Sequence, residues 1–275
     1  MILIVYSTLD IAGVNIAQQI LKHYPFIKST QTYQTLPRYT ADINGRQTTI
    51  VALQKEAIYA QYLPDDFPDA ELIVFISRHT SQSGKPTLTV HPPGNFNAAE
   101  FGGYSKTLSV APALAMQTAL RALAHYKDSL SLNDYQVSYE GTHHGPSLNV
   151  PAMFVELGSS PEQWSDSCAA KAVAHSALTA ISNFTKTHAS AVLGIGGTHY
   201  NEKFTTMALT GTAFFGHMIP KYALSSIDTA MIKQCVEQTS ETVQLAMLDW
   251  KGISSKDKPN ILFALEQAGL PYQKI

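Results

Sequence analysis

Histidines and glutamates stand at or just after the ends of four short apolar runs of this sequence. Runs that are apolar on both faces are typical of strands buried between layers of helices. The carboxyl ends of parallel strands line a common crevice where ligands bind, so four such endings predict a functional site at one edge of a sheet. The residues that this pattern selects are His79, Glu140, His143, His144, Glu156 and His199.

Imidazole and carboxylate groups without thiolates suit a hydrolytic zinc site that keeps one position open for water. The candidate ligands are His79, His143, Glu156 and His199, which follow separate runs, so no local H-E-x-x-H pattern is expected or found. The same residues suit a metal-free site equally well, because histidine titrates near pH ~6.5 and works as acid and base. Glu140 or Glu156 would then act as base or orient a histidine.

Each of these residues also has an ordinary structural explanation. A single histidine after a strand more often packs in a loop, and a carboxylate there can bind amides or Arg78. For the adjacent pair His143 and His144, between glycines, a functional role and simple packing in the loop are equally good explanations. His91 and His217, beside glycine and proline loops, are left undecided. The other histidines are explained by helix ends, a helix interior or a short linker: His23, His125, His175 and His188.

Strand and helix patterns alternate along the chain and must position these residues. Strands are predicted at residues 2–6, 49–53, 72–77, 136–139, 153–156 and 191–195. A helix capped by Asp10 and ending at His23 is expected, with others at 111–126, 162–186, 228–250 and 260–267. This order predicts an α/β fold with a mainly parallel sheet flanked by helices. Two stretches without periodicity, 81–105 and 142–151, are predicted to be functional loops.

Composition excludes several classes of protein. The chain has 275 residues, a formal charge of −2, ten histidines and two cysteines. Cys168 and Cys235 cannot form a disulfide framework or a four-thiolate zinc site, which favours a reducing compartment. The first residues read as a strand rather than a signal peptide, and no apolar run reaches the ~20 residues of a membrane span. We expect a soluble cytoplasmic protein, and one unit or two intimately joined subdomains across residues 1–275.

Nucleic-acid binding would have to be local, because the net charge provides no global basic field. A group of lysines in the last third of the chain is explained either by solubility and helix capping or by a groove for a phosphate backbone. Its members are Lys203, Lys221, Lys251, Lys256 and Lys258. No G-x-S-x-G elbow or Walker A loop occurs, and residues 194–199 have histidine where a dinucleotide fingerprint needs its third glycine.

Several strings, in order, resemble the archaeal and plant type of D-aminoacyl-tRNA deacylase. They are SRHTS at 77–81, LTVH at 88–91, YEGTHHGPS at 139–147, VELGS at 155–159 and GGTHY at 196–200. The resemblance extends from the first strand to residues 249–252. It implies hydrolysis of the ester between a D-amino acid and the 3′ end of tRNA, with zinc as cofactor. It also implies a phosphorylase/hydrolase-like α/β fold with a peptidyl-tRNA-hydrolase-like part, and an active site at the six residues selected above.

The leading hypothesis is therefore a cytoplasmic hydrolase that binds the acceptor end of D-aminoacyl-tRNA, with no membrane or DNA partner. The predicted substrate-binding residues are Arg78, Thr142, Gly197 and Tyr200. Amides near Gly141 or Gly197 would meet the oxyanion, and Tyr200 or Tyr104 would stack on the terminal adenine.

Two alternatives remain open. One is a metal-dependent or nucleoside-type hydrolase of a small molecule without tRNA, and the other is a non-catalytic tRNA or nucleotide binder. Steep salt dependence of binding would distinguish a phosphate-backbone ligand from a small neutral one.

Overall fold

The computed structural model describes residues 1–185 and 189–275. Lys186, where the helix 162–186 is predicted to end, and His188 lie outside the described residues. The described part of the chain forms two β-sheets. None of the described helices combines the length and the apolar composition that a membrane crossing requires.

The first sheet has eight strands in the order β2-β3-β4-β1-β5-β8-β6-β7. β1 pairs in parallel with β4 and β5, β5 with β8, and β6 with β7, whereas β2–β3, β3–β4 and β6–β8 are antiparallel. The strands are β1 Ile2–Ser7, β2 Ile27–Tyr33, β3 Leu36–Asp42, β4 Gln47–Leu53, β5 Leu72–Arg78, β6 Thr87–His91, β7 Gln136–Tyr139 and β8 Ala152–Gly158.

The second sheet has four strands in the order β10-β9-β11-β12, and all of its pairings are parallel. The strands are β9 Ser190–Ile195, β10 Phe215–Ile219, β11 Thr242–Leu248 and β12 Tyr272–Lys274. Most pairings in the two sheets together are parallel, so the predicted α/β class with a mainly parallel sheet is confirmed.

Helices cover the sheets, and small side chains allow their close packing. Asp10 caps the first helix by accepting from the amide of Gly13, as the sequence predicts. Buried alanines such as Ala119 and Ala174 let helices of the first sheet approach one another closely. The helices are α1 Ile11–His23, α2 Leu63–Asp66, α3 Ala113–Ser129, α4 Pro161–Trp164, α5 Ser167–Ser182, α6 Glu202–Thr210, α7 Thr229–Glu237 and α8 Lys258–Ala268.

Two predicted helices are wrong in their extent. The helix predicted at 228–250 ends at Glu237, and the chain continues as β11 because Glu241 turns inward to accept from the α3 amides of Ala113 and Leu114. The helix predicted from residue 162 is two helices, because the side chain of Asp166 caps a new one. The predicted loop 81–105 contains β6, whose five residues are all buried.

The sequence predicts that the strands that carry the site all run in one direction. In the structure they do not. Since β6 is antiparallel to β8, β7 also runs opposite to β5 and β8. β9 belongs to the second sheet, and its following loop reaches the first through the amide of Gly141, which donates to His199 O at 2.8 Å. The predicted residues therefore meet over the middle of β8, where the two sheets join.

Candidate active site

Glu140, the residue after β7, is fully buried at the centre of the cluster. Its Oε2 lies 2.8 Å from Nε2 of His199 and 3.6 Å from Nε2 of His143. Its Oε1 lies 3.1 Å from Nδ1 of His79. The carboxylate therefore connects a histidine of the first sheet with one from the second.

Glu156 projects from β8 on the other side of His79. Ser77 donates its hydroxyl to Oε1 at 2.6 Å, while Oε2 lies 3.5 Å from Nδ1 of His79 and 3.6 Å from Nε2 of His91. The second ring nitrogen of His79 hydrogen-bonds the hydroxyl of Tyr200. His79 is thus held between two carboxylates and a phenol.

The three histidines His91, His143 and His144 form a compact group with ring centroids 4.2 to 4.9 Å apart. Each has its Nδ1 within 2.6 to 3.2 Å of a backbone carbonyl of the adjacent loop. A carbonyl only accepts, so Nδ1 carries the hydrogen in each ring, and in a neutral ring Nε2 retains its lone pair. Burial by itself lowers the pKa of His91, but Glu156 outweighs burial and raises that pKa. Burial, together with His91, lowers the pKa of His144 to about 4 and that of His143 well below its usual value, so both are neutral at pH 7.

The carboxylates have the opposite effect on His79. Burial by itself lowers the pKa of His79, but Glu140 and Glu156 outweigh burial and raise the pKa to about 11. Burial likewise raises the pKa of each carboxyl group, but the histidines dominate. His79 and His199 hold the pKa of Glu140 well below its usual range, and His79 and His91 lower that of Glu156 to about 2.

Two buried atoms of the site lack a hydrogen-bond partner among the described residues, namely Oε1 of Glu140 and Nε2 of His91. The 3.1 Å contact of Glu140 with His79 brings the atoms close without hydrogen-bond geometry. Buried polar groups without a partner are costly, so such atoms indicate a missing ligand. Three overlapping groups place one ligand atom per residue within 4.8 Å of one another: His91, His143 and His144; Glu140, His143 and His199; and His79, Glu140 and Glu156.

The cluster forms one wall of a cavity of about 550 Å³. The cavity is also lined by Ile58, Tyr59 and Phe101, and Phe101 is 64% exposed. The cavity reaches the ion pair of Arg78 and Glu56, whose side chains are 3.0 Å apart. A small organic group can enter beside the histidines.

All six residues predicted for catalysis are brought together, and five of them line the cavity, with Glu140 buried behind them. The four predicted metal ligands are divided among the three groups above, so no single group contains His79, His143, Glu156 and His199.

The predicted substrate-binding residues lie in different places. Arg78 lines the cavity and Tyr200 contacts His79. Thr142 is buried and bonded to His217 at 3.1 Å. Gly197 lines a separate crevice. The amide of Gly141 donates to His199 O, so the predicted use of that amide as an oxyanion donor is wrong.

His91 is the main residue that the sequence left undecided. It ends β6, in which Thr87 and Thr89 alternate with the apolar residues, so the continuous apolar run that precedes His79 is absent here. Glycines and prolines nearby also favour a loop. Phe101 carried no signal at all, because a lone aromatic residue in a loop has no periodicity.

Comparison with known proteins places the chain in a family. A family model described as D-aminoacyl-tRNA deacylase matches residues 66–273. A D-aminoacyl-tRNA deacylase of Thermococcus kodakarensis is 32% identical over 272 residues, 97% of either chain. One from Methanoregula boonei is 36% identical over 270 residues, covering 98% of this chain and 57% of the relative.

A solved structure has the same fold along the whole chain. The crystal structure of the conserved protein of unknown function AF0625 superposes with a TM-score of 0.89 at 31% identity, covering 100% of this chain and 95% of the other. With a family model over most of its length and relatives above 30% identity over nearly all of it, the chain belongs to the D-aminoacyl-tRNA deacylase family.

Proposed function

We propose that this protein hydrolyses the ester of D-aminoacyl-tRNA and releases the D-amino acid and free tRNA. The observation that carries the proposal is the cluster of histidines and buried glutamates on the wall of a cavity, in a chain of this family. The substrate would place its acceptor end at the mouth and its aminoacyl group inside. A cytoplasmic protein without DNA or membrane partners fits this role.

His199 and Glu140 form the pair that would accept a proton from the attacking water. With Nε2–H donated to Glu140 at 2.8 Å, His199 keeps a lone pair on Nδ1 and lines the cavity. The buried carboxylate would stabilise the imidazolium that forms, and His199 would then return the proton to the ribose oxygen as the ester bond breaks. His79, held protonated by two carboxylates, would keep the Glu140 carboxylate in place behind His199.

We infer zinc as the cofactor, because the donors present fit it. The three histidines with Nδ1 committed to carbonyls, His91, His143 and His144, would hold the ion through Nε2. Bound zinc supplies a Lewis acid and lowers the pKa of a bound water. Three protein ligands would leave a position open for water, as in catalytic zinc sites.

Discrimination against L-amino acids would come from the shape of the cavity. With the ester held at the histidines, one of the two α-substituent directions would lead to the space beside Ile58 and Phe101. The L-enantiomer would direct its side chain away from that space, where steric contact with the cavity lining would reject it.

The direct test follows ester loss from D-Tyr-tRNA and L-Tyr-tRNA. We expect hydrolysis of the D-ester and little of the L-ester. Equal rates, or no reaction of the D-ester, would contradict the proposal.

A second experiment tests the metal. A chelator should abolish turnover and zinc should restore it, whereas turnover that survives the chelator indicates a metal-free histidine site. His91→Ala should weaken zinc binding by more than about tenfold, measured by competition with a chromophoric chelator. His125→Ala, outside the cluster, is the control, and equal zinc affinity of both variants would contradict the assignment.

A further inference from the structure

A second crevice lies next to the catalytic cavity, at the carboxyl ends of the second sheet. Its volume is about 430 Å³, and its walls are formed by the segments that follow β9, β10 and β11. These three neighbouring strands are parallel, so their carboxyl ends meet at one edge.

The crevice lies at the point where the strand order reverses. From β9 the chain moves outward to β10 and then returns to β11 on the other side of β9. The loops after β9 and β11 therefore diverge and leave a gap between them. In open parallel sheets, ligands bind in this gap.

Two glycines and the Asp249 carboxylate meet at the floor of the crevice, where a Cβ on Gly252 would lie 2.5 Å from Oδ2 of Asp249. Gly197, with φ +80°, and Gly252 lie against each other, and a Cβ on Gly252 would come within 2.7 Å of the Gly197 amide nitrogen. A Cβ on Gly197 would lie 2.3 Å from Nδ2 of Asn201. Only glycines allow this approach.

The rim is basic. Lys221 and Lys251 are exposed and have no ion-pair partner in the described part of the chain, while Lys203 binds Asp249 at 2.5 Å. The crevice is thus lined by three lysines and two carboxylates, Asp249 and Glu202, and the charge of Asp249 is neutralised by Lys203. The N-terminus of α6 also opens here, adding a partial positive charge. An anion fits these walls better than a cation.

The crevice and the catalytic cavity share one loop. Gly197 lines the crevice and His199 lines the cavity, and two residues span at most about 7 Å. A substrate whose ester lies at His199 therefore has its nearest phosphate groups within reach of the crevice.

We propose that this crevice binds a phosphate of the tRNA acceptor end, with Lys221 and Lys251 as the contacting side chains. The inference rests on the proposed function and extends it to how the nucleic acid is held. It explains how a chain with a formal charge of −2 holds a polyanion. The phosphate belongs either to the 3′ strand next to the esterified adenosine or to the 5′ terminus.

The test compares the double variant Lys221→Ala/Lys251→Ala with a matched control, Lys22→Ala/Lys28→Ala. The control lysines are also exposed, on α1 and β2, and their removal changes the net charge equally. For D-Tyr-tRNA we expect the double variant to raise KM about tenfold with kcat nearly unchanged. The slope of log KM against log salt should fall by about one, because one phosphate is no longer neutralised.

A second substrate separates phosphate binding from support of the catalytic loop. The D-tyrosyl ester of adenosine has no phosphate, so wild type and double variant should hydrolyse it equally. A phosphatase-treated tRNA identifies the source: if the KM difference disappears with it, the 5′-terminal phosphate is bound, and if it persists, the 3′ strand is.

The proposal is overturned if KM for the tRNA ester is unchanged, if the control variant loses as much, or if hydrolysis of the adenosine ester falls too. If the wild type hydrolyses neither ester, the proposed function fails instead. Filter binding of uncharged tRNA then tests the crevice by itself: weaker binding by the double variant alone supports it, and equal binding by all three proteins contradicts it.

Discussion

Glu140 is one of the residues through which the two sheets contact each other in the site. Its charge is buried and is stabilised by the histidines around it, two of which lie 2.8 and 3.1 Å from its oxygens. A buried carboxylate in this position fixes the tautomer of His199.

Replacing Glu140 with glutamine tests that role at nearly constant volume. We expect Glu140→Gln to lower kcat for D-Tyr-tRNA by about 100-fold or more, because a neutral amide cannot stabilise the imidazolium at His199. Steady-state hydrolysis measures the effect. His175→Ala, which removes a hydrogen bond to Tyr24 and a stacking contact with Tyr126 on the helical face, serves as control. A kcat for Glu140→Gln within threefold of wild type would rule out this pair as the proton acceptor.

At the scale of elements, β10 is joined to the loop that carries His143 and His144. Thr142 donates its hydroxyl to Nδ1 of the buried His217, and Nε2 of His217 donates to the carbonyls of Ser109 and Gln238. This arrangement requires a neutral imidazole, and burial lowers the pKa of His217 to about 4.

This linkage predicts an acid-sensitive contribution to stability. In the unfolded chain His217 binds a proton below pH ~6.5, whereas in the folded chain it does so only below about pH 4. The contribution of His217 to stability is therefore fully present above pH ~6.5 and decreases as the pH is lowered. Urea unfolding of wild type and His217→Gln measures it. Their difference in free energy of unfolding should shrink by about 2 kcal/mol between pH 6.5 and pH 5. A difference independent of pH would show that His217 is not held neutral.

The ends of β5 and β8 also depend on one close contact. A Cβ on Gly158 would lie 2.7 Å from Cβ of His79 and 2.9 Å from its carbonyl oxygen. Gly158→Ala should therefore displace His79 and lower kcat by roughly 100-fold, since small misplacements of reacting groups are costly.

A control variant distinguishes a displaced His79 from a general loss of stability. Gly269 ends α8 at φ +69° in open space, so Gly269→Ala strains the backbone far from the site. We expect this control to melt at a lower temperature and keep its kcat. If both variants retain kcat, the contact does not position His79.

At the scale of the whole molecule, we propose that residues 1–275 fold as a single unit. The first sheet's core includes Phe215 and Met218 of β10, and Glu241 binds the start of α3. Shared core residues couple the two sheets energetically.

The two tryptophans can test this coupling. Trp164 packs with the first sheet and Trp250 with the second. In Trp164→Phe and Trp250→Phe, the remaining tryptophan's fluorescence should report the same urea midpoint as circular dichroism of that variant. Separate midpoints would indicate two independently folding subdomains.

Local patterns determined much of the fold. The apolar runs of β1, β5, β8 and β9 and the cap at Asp10 are readable because burial on both faces and capping depend on adjacent residues. The sequence predicts a helix at residues 242–248, because a short apolar run fits the 3.6-residue period of a helix as well as the two-residue period of a strand. Pairing with β9 makes this segment a strand.

The sequence by itself determined the chemistry of the site: histidines and glutamates at strand ends, without thiolates, in a chain of this family. Tertiary structure decided which of them meet and where. The reversed direction of β6 and β7 brings His91 to Glu156, and the second sheet brings His199 to Glu140. Strand direction and sheet membership depend on pairing between distant segments, and no local pattern of side chains records that pairing.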